Sequence, residues 1–276
     1  MSDVDRRSIL AGLAGVGGVA ALASMAGAAQ PAAGRPARAS TDGRRLLTGR
    51  TGTLTISWPG SYALAGDICA VEGKNGIVID ASGVSLDLNG FTVRSETLAG
   101  YGITTGAGGR TGVSVCGGKV SGFSVGVFLG TNGTTDSWVS AEDLVIHRPG
   151  TLGVYVFSPL VSGLGIVRRC TVWQAGYATS PATTGDASGI LMLNACGVIE
   201  DCVVVEVINS SSGYGAYGIN QFGGTEVMVV DNRVTRCGTG IRLHQASGVV
   251  YRDNIVTGSI RAWDAGGATD GGGNVS

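Results

Sequence analysis

The chain has 276 residues, 49 of them glycine, with charged residues at only 14% and a formal net charge of −1. That length suffices for one domain with its own core, and the near-neutral charge removes any electrostatic ground for a nucleic-acid or anionic-lipid partner. The glycine excess has no Gly-X-Y period, which excludes collagen, and the aliphatic residues stand in short runs, which argues against disorder.

Taken in chain order, Arg6 and Arg7 precede Ser8, Ile9 and Leu10 and a weakly apolar Gly/Ala-rich run to about Ala23. Ala26-Gly27-Ala28 then supplies a small-x-small cleavage pattern. Paired arginines before a modestly hydrophobic core predict a twin-arginine signal peptide over 1–28, an address for exporting a folded protein to the periplasm or the exterior. The competing reading is a membrane anchor, but the run is short and glycine-rich for a spanning helix. No later segment could span a membrane. Residues 29–50 mix Pro, Ala, Gly and Arg without period and predict a flexible linker. The stretch from Leu54 to Leu64, Leu-Thr-Ile-Ser-Trp-Pro-Gly-Ser-Tyr-Ala-Leu, predicts an N-terminal cap over 51–74.

Internal repeats follow. Gly and an aliphatic residue recur as Gly76-Ile77, Gly102-Ile103, Gly126-Val127, Gly153-Val154, Gly189-Ile190, Gly218-Ile219 and Gly240-Ile241. A second series, Thr92, Val120, Val145, Val172, Val204, Val234 and Val256, gives the same count. A third strand precedes the second in each unit, as in Val84-Ser85-Leu86 and Gly248-Val249-Val250. Each unit thus holds three short strands separated by Gly/Asn/Ser turns. None has room for a helix, and a propeller blade would need ~40 residues. Three strands per ~25 residues fit an all-β coil that wraps an apolar interior and stacks on its neighbour at ~4.8 Å. Like residues should then stack between rungs, here Gly90, Gly118, Asp143, Cys170, Cys202, Asn232 and Asn254. Ile260 to Trp263 predict a partial last coil, and 264–276 a loose C-terminal tail.

The stretch Gly83-Val84-Ser85-Leu86-Asp87-Leu88-Asn89-Gly90-Phe91-Thr92-Val93, with the Asp-Asn-x-Val units at 231–234 and 253–256, resembles the right-handed parallel β-helix superfamily. That group includes pectate-lyase-like enzymes, polygalacturonases, alginate epimerases and NosD-like periplasmic proteins. The resemblance implies a right-handed single-stranded parallel β-helix over 51–276, with about seven rungs of three short strands. It also implies polysaccharide binding on an outer strand face. The catalytic signatures of those enzymes are missing: no Asn-Thr-Asp, Asp-Asp, Gly-His-Gly, Arg-Ile-Lys, Asp-Pro-His or Arg-x-Pro-x-x-Arg occurs. Nor does a Met-rich stretch or a close His/Cys cluster support the copper chemistry implied by the NosD-like comparison.

Three sets of candidate residues remain. Glu142, Arg169, Asp201, Asp231 and Asp253 form a series expected to point outward on successive rungs. Stacked carboxylates repel unless a cation or an arginine intervenes. A Ca²⁺ at Asp201 and Asp231 is one resolution, with Arg168, Arg169, Arg233 or Arg252 as base or clamp and Asp201, Asp231, Arg233 and Asp253 as the catalytic candidates. The other is a solvated face whose charges screen one another, with no cofactor at all. Second, the intervals from Val172 to Ile190 and from Val204 to Ile219 are longer than those of the other rungs. They should emerge at one corner and bring Tyr177, Asp186, Tyr214 and Tyr217 as a sugar-stacking wall; the competing reading is a tolerated insertion. Third, six cysteines without a C-x-x-C spacing argue against zinc, and Cys170 over Cys202 reads as stacked buried thiols or a disulfide. His147 and His244 fall on distant rungs.

Two functions fit. One is a non-catalytic exported module that binds a polysaccharide or cell-envelope glycan or serves a surface role. The other is a polysaccharide lyase or glycoside hydrolase of unrecorded motif on the outer strand face.

Overall fold

The computed structural model describes residues 43–106, 110–130, 138–158, 163–177, 185–209, 214–245 and 247–276. The expected signal peptide, and the expected linker up to residue 42, lie outside the described residues. Every described regular element is a β-strand, and the strands pair in parallel from coil to coil. No described helix is long and apolar enough to cross a membrane.

Each coil presents three faces. The first runs from Arg45–Leu47 and Gly60–Leu64 up to Val250–Arg252 and Thr269–Asp270, and the second from Arg50–Thr51 to Ile255–Thr257. These two faces join in a 17-stranded sheet, because Val113–Ser121 and Trp138–His147 run through the corner between them without a break. The third face is a 9-stranded sheet from Leu54–Ile56 to Arg261–Asp264. The chain is a parallel β-solenoid, as its repeats imply.

The seven Gly-aliphatic repeats all lie on the third face, and their glycines form a continuous row. A methyl group on Gly153 would meet the Gly189 carbonyl oxygen at 2.3 Å and Val172 Cγ1 at 2.5 Å. On Gly218 it would meet Val234 Cγ1 at 2.2 Å and the Gly240 oxygen at 2.6 Å. The second-face valine of each coil, or Ile146 in the coil beside Gly126, thus occupies the space that a Cβ would need. The row ends at Ala262, which is in register with Gly240 on the last coil.

Stacking continues beyond the seven repeats at both ends. Leu54–Ile56 pairs with Ile77–Ile79, so the segment expected as a cap is itself part of a coil. Arg45–Leu47 and Arg50–Thr51 pair with the next coil, so the described solenoid reaches into the segment expected as a linker. At the far end Thr269–Asp270 pairs with Val250–Arg252, and Val275 bridges to Ile255. The tail is therefore a partial coil. Asn274 accounts for this order: its Oδ1 accepts hydrogen bonds from the Asn254 backbone N–H and Nδ2, each at 3.0 Å.

That contact closes an amide ladder. Asn232 and Asn254 are fully buried, and Asn232 Nδ2 donates to Asn254 Oδ1 at 2.9 Å. Each amide oxygen also takes the backbone N–H of the preceding ladder residue, Cys202 or Asn232, at 3.0 Å. The expected stack of Cys170, Cys202, Asn232 and Asn254 is present, and both cysteines are buried free thiols.

Two members of the expected ladder are displaced, one by a single residue and one by two. Gly118 is in register with Leu144 rather than Asp143, and Leu88 rather than Gly90 is the buried residue of the coil below. Likewise Val93 and Ile146 are buried, whereas Thr92 is half-buried and Val145 exposed. The cause is local. Asp143 turns the corner with φ 53°, and Asn89-Gly90 places two left-handed residues there. A one-residue slip exchanges the inner and outer sides of a strand.

Candidate functional site

Asp201, Asp231 and Asp253 stand in one row at the corner between the first and second faces, with φ of 53°, 56° and 57°. Gly117, Asp143 and Arg169 precede them in the row, all at positive φ. Asp143 thus takes the place expected for Glu142, which sits one residue earlier in register with Cys116 and Arg168. Aspartate is among the few non-glycine residues that tolerate the left-handed region, because its short carboxylate bonds nearby backbone. The row is thereby explained by backbone geometry. All three aspartates are exposed. Asp253 pairs with Arg252, while Arg169 reaches Asp143 through Nε at 2.7 Å and Nη2 at 2.9 Å, and Glu142 at 3.0 Å. The Arg169 guanidinium holds the Asp143 carboxyl below its ordinary range. Arg233 is not in this row; it is exposed on the second face between Val203 and Ile255. Among the described residues, no three His, Cys, Asp or Glu groups are arranged to hold a metal ion.

The two long intervals do meet at one corner. The Ile208 N–H donates to the Ala175 oxygen at 3.0 Å, and Asn209 Nδ2 donates to the Gly185 and Gly215 oxygens at 3.0 Å. The Gly215 N–H reaches Asp186 Oδ1 at 2.7 Å. Residues 178–184 and 210–213, between these anchors, lie outside the described residues. The four residues expected as one wall fall into separate places. Tyr177 stands at the near end, Asp186 and Tyr217 at the far end, and Tyr214 is exposed.

Tyr177 belongs to a cluster whose other members the sequence reading did not single out as a site. Its hydroxyl donates to Glu206 Oε1 at 3.1 Å, and Gln174 Nε2 reaches Glu206 Oε2 at 3.3 Å. The Arg148 guanidinium lies 6.0 Å from the Tyr177 ring centroid, and Arg236 lies 4.0 Å from Glu206. Arg148, Gln174, Glu206 and Arg236 all have φ between 50° and 61° and turn the corner after the second face. Just before that corner, Trp173 is 46% exposed, with its ring centroid 5.0 Å from that of His147. Hydrogen bonds from Tyr177 and then Gln174 hold the Glu206 carboxyl below its ordinary range. The result is an exposed strip of two aromatic rings, an imidazole, an ionised carboxylate and two guanidiniums. A signal was available: each polar corner residue stands two after the buried second-face residue of its coil, as Gln174 does after Val172 and Arg236 after Val234.

The other end of the corner leads onto the outward side of the third face. Arg242 is there, only 7% exposed. Its Nη1 donates to the Tyr217 hydroxyl at 3.1 Å, and the guanidinium lies 4.9 Å from that ring centroid. Asp186 and Asp264 approach it at 3.8 and 3.7 Å. In register with Arg242 comes Asn220, then Leu191, then Tyr155, then Phe128. The outward side thus passes from an apolar cluster of Tyr155, Leu191, Leu193 and Phe222 to polar groups in the later coils.

Comparison with known proteins is sparse. No protein-family model matches the chain, and no curated protein does. Among solved structures, the chain is similar to the enzymatically active domain of tailspike protein 2 of bacteriophage CBA120. The TM-score is 0.53 at 13% identity, over 75% of this chain and 34% of that one. The chain therefore spans about a third of that structure's length. The likeness is one of fold, a parallel β-helix in both.

Proposed function

We propose that this protein is an exported β-helix module that binds a polysaccharide or cell-envelope glycan on the strip formed by His147, Trp173, Tyr177 and Glu206. The observation that carries the reading is Trp173, an indole half open to solvent on a rigid strand and flanked by the His147 ring and the oriented Glu206 carboxylate. Aromatic faces pack on the apolar faces of sugar rings. A fixed acceptor and neighbouring guanidinium donors then suit the hydroxyls at the ring edge. The outer acidic row of Asp201, Asp231 and Asp253 is read as corner residues, so the module is non-catalytic and needs no cofactor. Export follows from the paired arginines, and Arg6→Lys with Arg7→Lys should leave the protein in the cytoplasm, as fractionation would report.

The test is a panel of neutral and uronic-acid polysaccharides presented to the mature protein with and without Ca²⁺. Saturable binding that Trp173→Ala weakens roughly tenfold, as the loss of one aromatic contact and its buried area implies, supports the reading. Depolymerised product, abolished by Asp201→Asn or Asp231→Asn, would replace it with a lyase or hydrolase.

A further inference from the structure

The outward side of the first face changes character along the stack. Ser140, Ile166, Val198, Met228 and Val250 stand in register across it. Trp138 and Leu164 flank that row, two residues earlier on their strands. Trp138 is 51% exposed, Met228 42% and Leu164 37%, while Ile166, Val198 and Val250 are half-buried. A contiguous apolar band of this kind marks an interaction surface, unlike apolar residues exposed singly. The next outward row is charged, with Glu142, Arg168, Glu200, Val230 and Arg252 on successive coils.

We propose that this band is the interface with a second copy of the chain, packed face to face with its solenoid axis reversed about a two-fold axis along the strand of Val198. A two-fold interface sets one patch against itself, so the patch must be complementary to its own reversed order. Here reversal puts Val198 on Val198 and Ile166 on Met228. It sets Trp138 over Gly248, which is exposed and leaves room for the indole. It also brings Glu142 opposite Arg252, since these lie two coils to either side of Glu200. Without reversal, a two-fold along the solenoid would set Trp138 on Glu142 and Leu164 on Arg168. Glu142 and Arg252 already hold Arg169 and Asp253, so the cross-pair fixes orientation more than it adds affinity. Two acids and two arginines cancel along the row, which leaves no positive excess to draw the band to an anionic membrane. Five coils at ~4.8 Å and three rows ~6.6 Å apart bury roughly 1,000 Å² in total, the size of a reversible complex.

This inference is independent of the proposed function, whose strip lies on the second face. Sedimentation velocity from about 1 µM to about 500 µM chain should show a monomer–dimer equilibrium, weakened at least tenfold by Met228→Asp. Glu142→Arg and Arg252→Glu should each be monomeric alone, because each sets like charges opposite one another. Mixed in equal amounts they should dimerise, since opposite charges then meet, and that recovery also shows both variants to be folded. Four results would overturn the interface: a monomer at every concentration, a dimer indifferent to Met228→Asp, single variants whose mixture gains nothing, or a monomer that binds lipid vesicles through the same band.

Discussion

At the residue scale, the most constrained positions are the third-face glycines. Gly153→Ala would drive a methyl against the Gly189 carbonyl and Val172. Both neighbours belong to packed strands, so strain of about 1–3 kcal/mol is expected, read as a lower denaturation midpoint with an unchanged slope. The thiols make a second residue-scale prediction. Burial pushes the Cys237 thiol up to about 11, and the neighbouring Cys202 thiol together with burial raises Cys170. A raised pKa contributes stability that is full below the unfolded value, about 8.5, and is lost as pH climbs through the folded value. Stability should therefore fall between about pH 8.5 and about 11, and Cys237→Ala should shallow that slope. At neutral pH a thiol reagent should label the half-buried Cys69, Cys116 and Cys196 and spare Cys170, Cys202 and Cys237. Glu206 shows the opposite sign. Its carboxyl is depressed, so glycan binding that depends on its charge should persist at the ordinary glutamate midpoint of about pH 4.3 and fail only below it.

At the element scale, the amide ladder makes the last coils one unit. Asn254 Oδ1 accepts the Asn232 N–H, and its Nδ2 serves the Val229 oxygen at 2.8 Å. Asn254→Leu would strand those buried groups at about 1–3 kcal/mol each. Removal of 269–276 should open the same ladder and expose amides of 250–257 to hydrogen exchange. The ladder was legible in the sequence because its members share one register, Asn232 two before Val234 and Asn254 two before Val256. The coil at Asp143 was not. A left-handed aspartate inside the long strand Trp138–His147 changes which residue faces inward, and no feature of side-chain hydrophobicity distinguishes Val145 from Ile146. The ends were also misjudged, since Arg45–Leu47 and Thr269–Asp270 pair through backbone while carrying no apolar repeat.

At the scale of the whole molecule, stacking makes stability a sum over neighbouring coils. The two ends, where among the described residues the strands pair on one side, should therefore exchange amide hydrogens before the middle coils. The long corner emerges from the middle of the stack, so its supports belong to the firmest part. The repeats made the fold readable, since each coil reports the same pattern. The site was half readable. Tyr177, Asp186 and Tyr217 could be found from interval length, but length says nothing of partners. Their division between Glu206 on one side and Arg242 on the other depends on which corner each side chain leaves from.

The central claim is that a glycan lies against Trp173, and the indole N–H resonances measure it directly. The four tryptophans are distinguishable by substitution: Trp173→Phe assigns the resonance of interest, and Trp58 and Trp138 report on exposed indoles elsewhere. During titration with the best-binding glycan, the Trp173 signal should move saturably while those of Trp58 and Trp138 stay in place. Saturable binding with Trp173 unmoved would contradict the account.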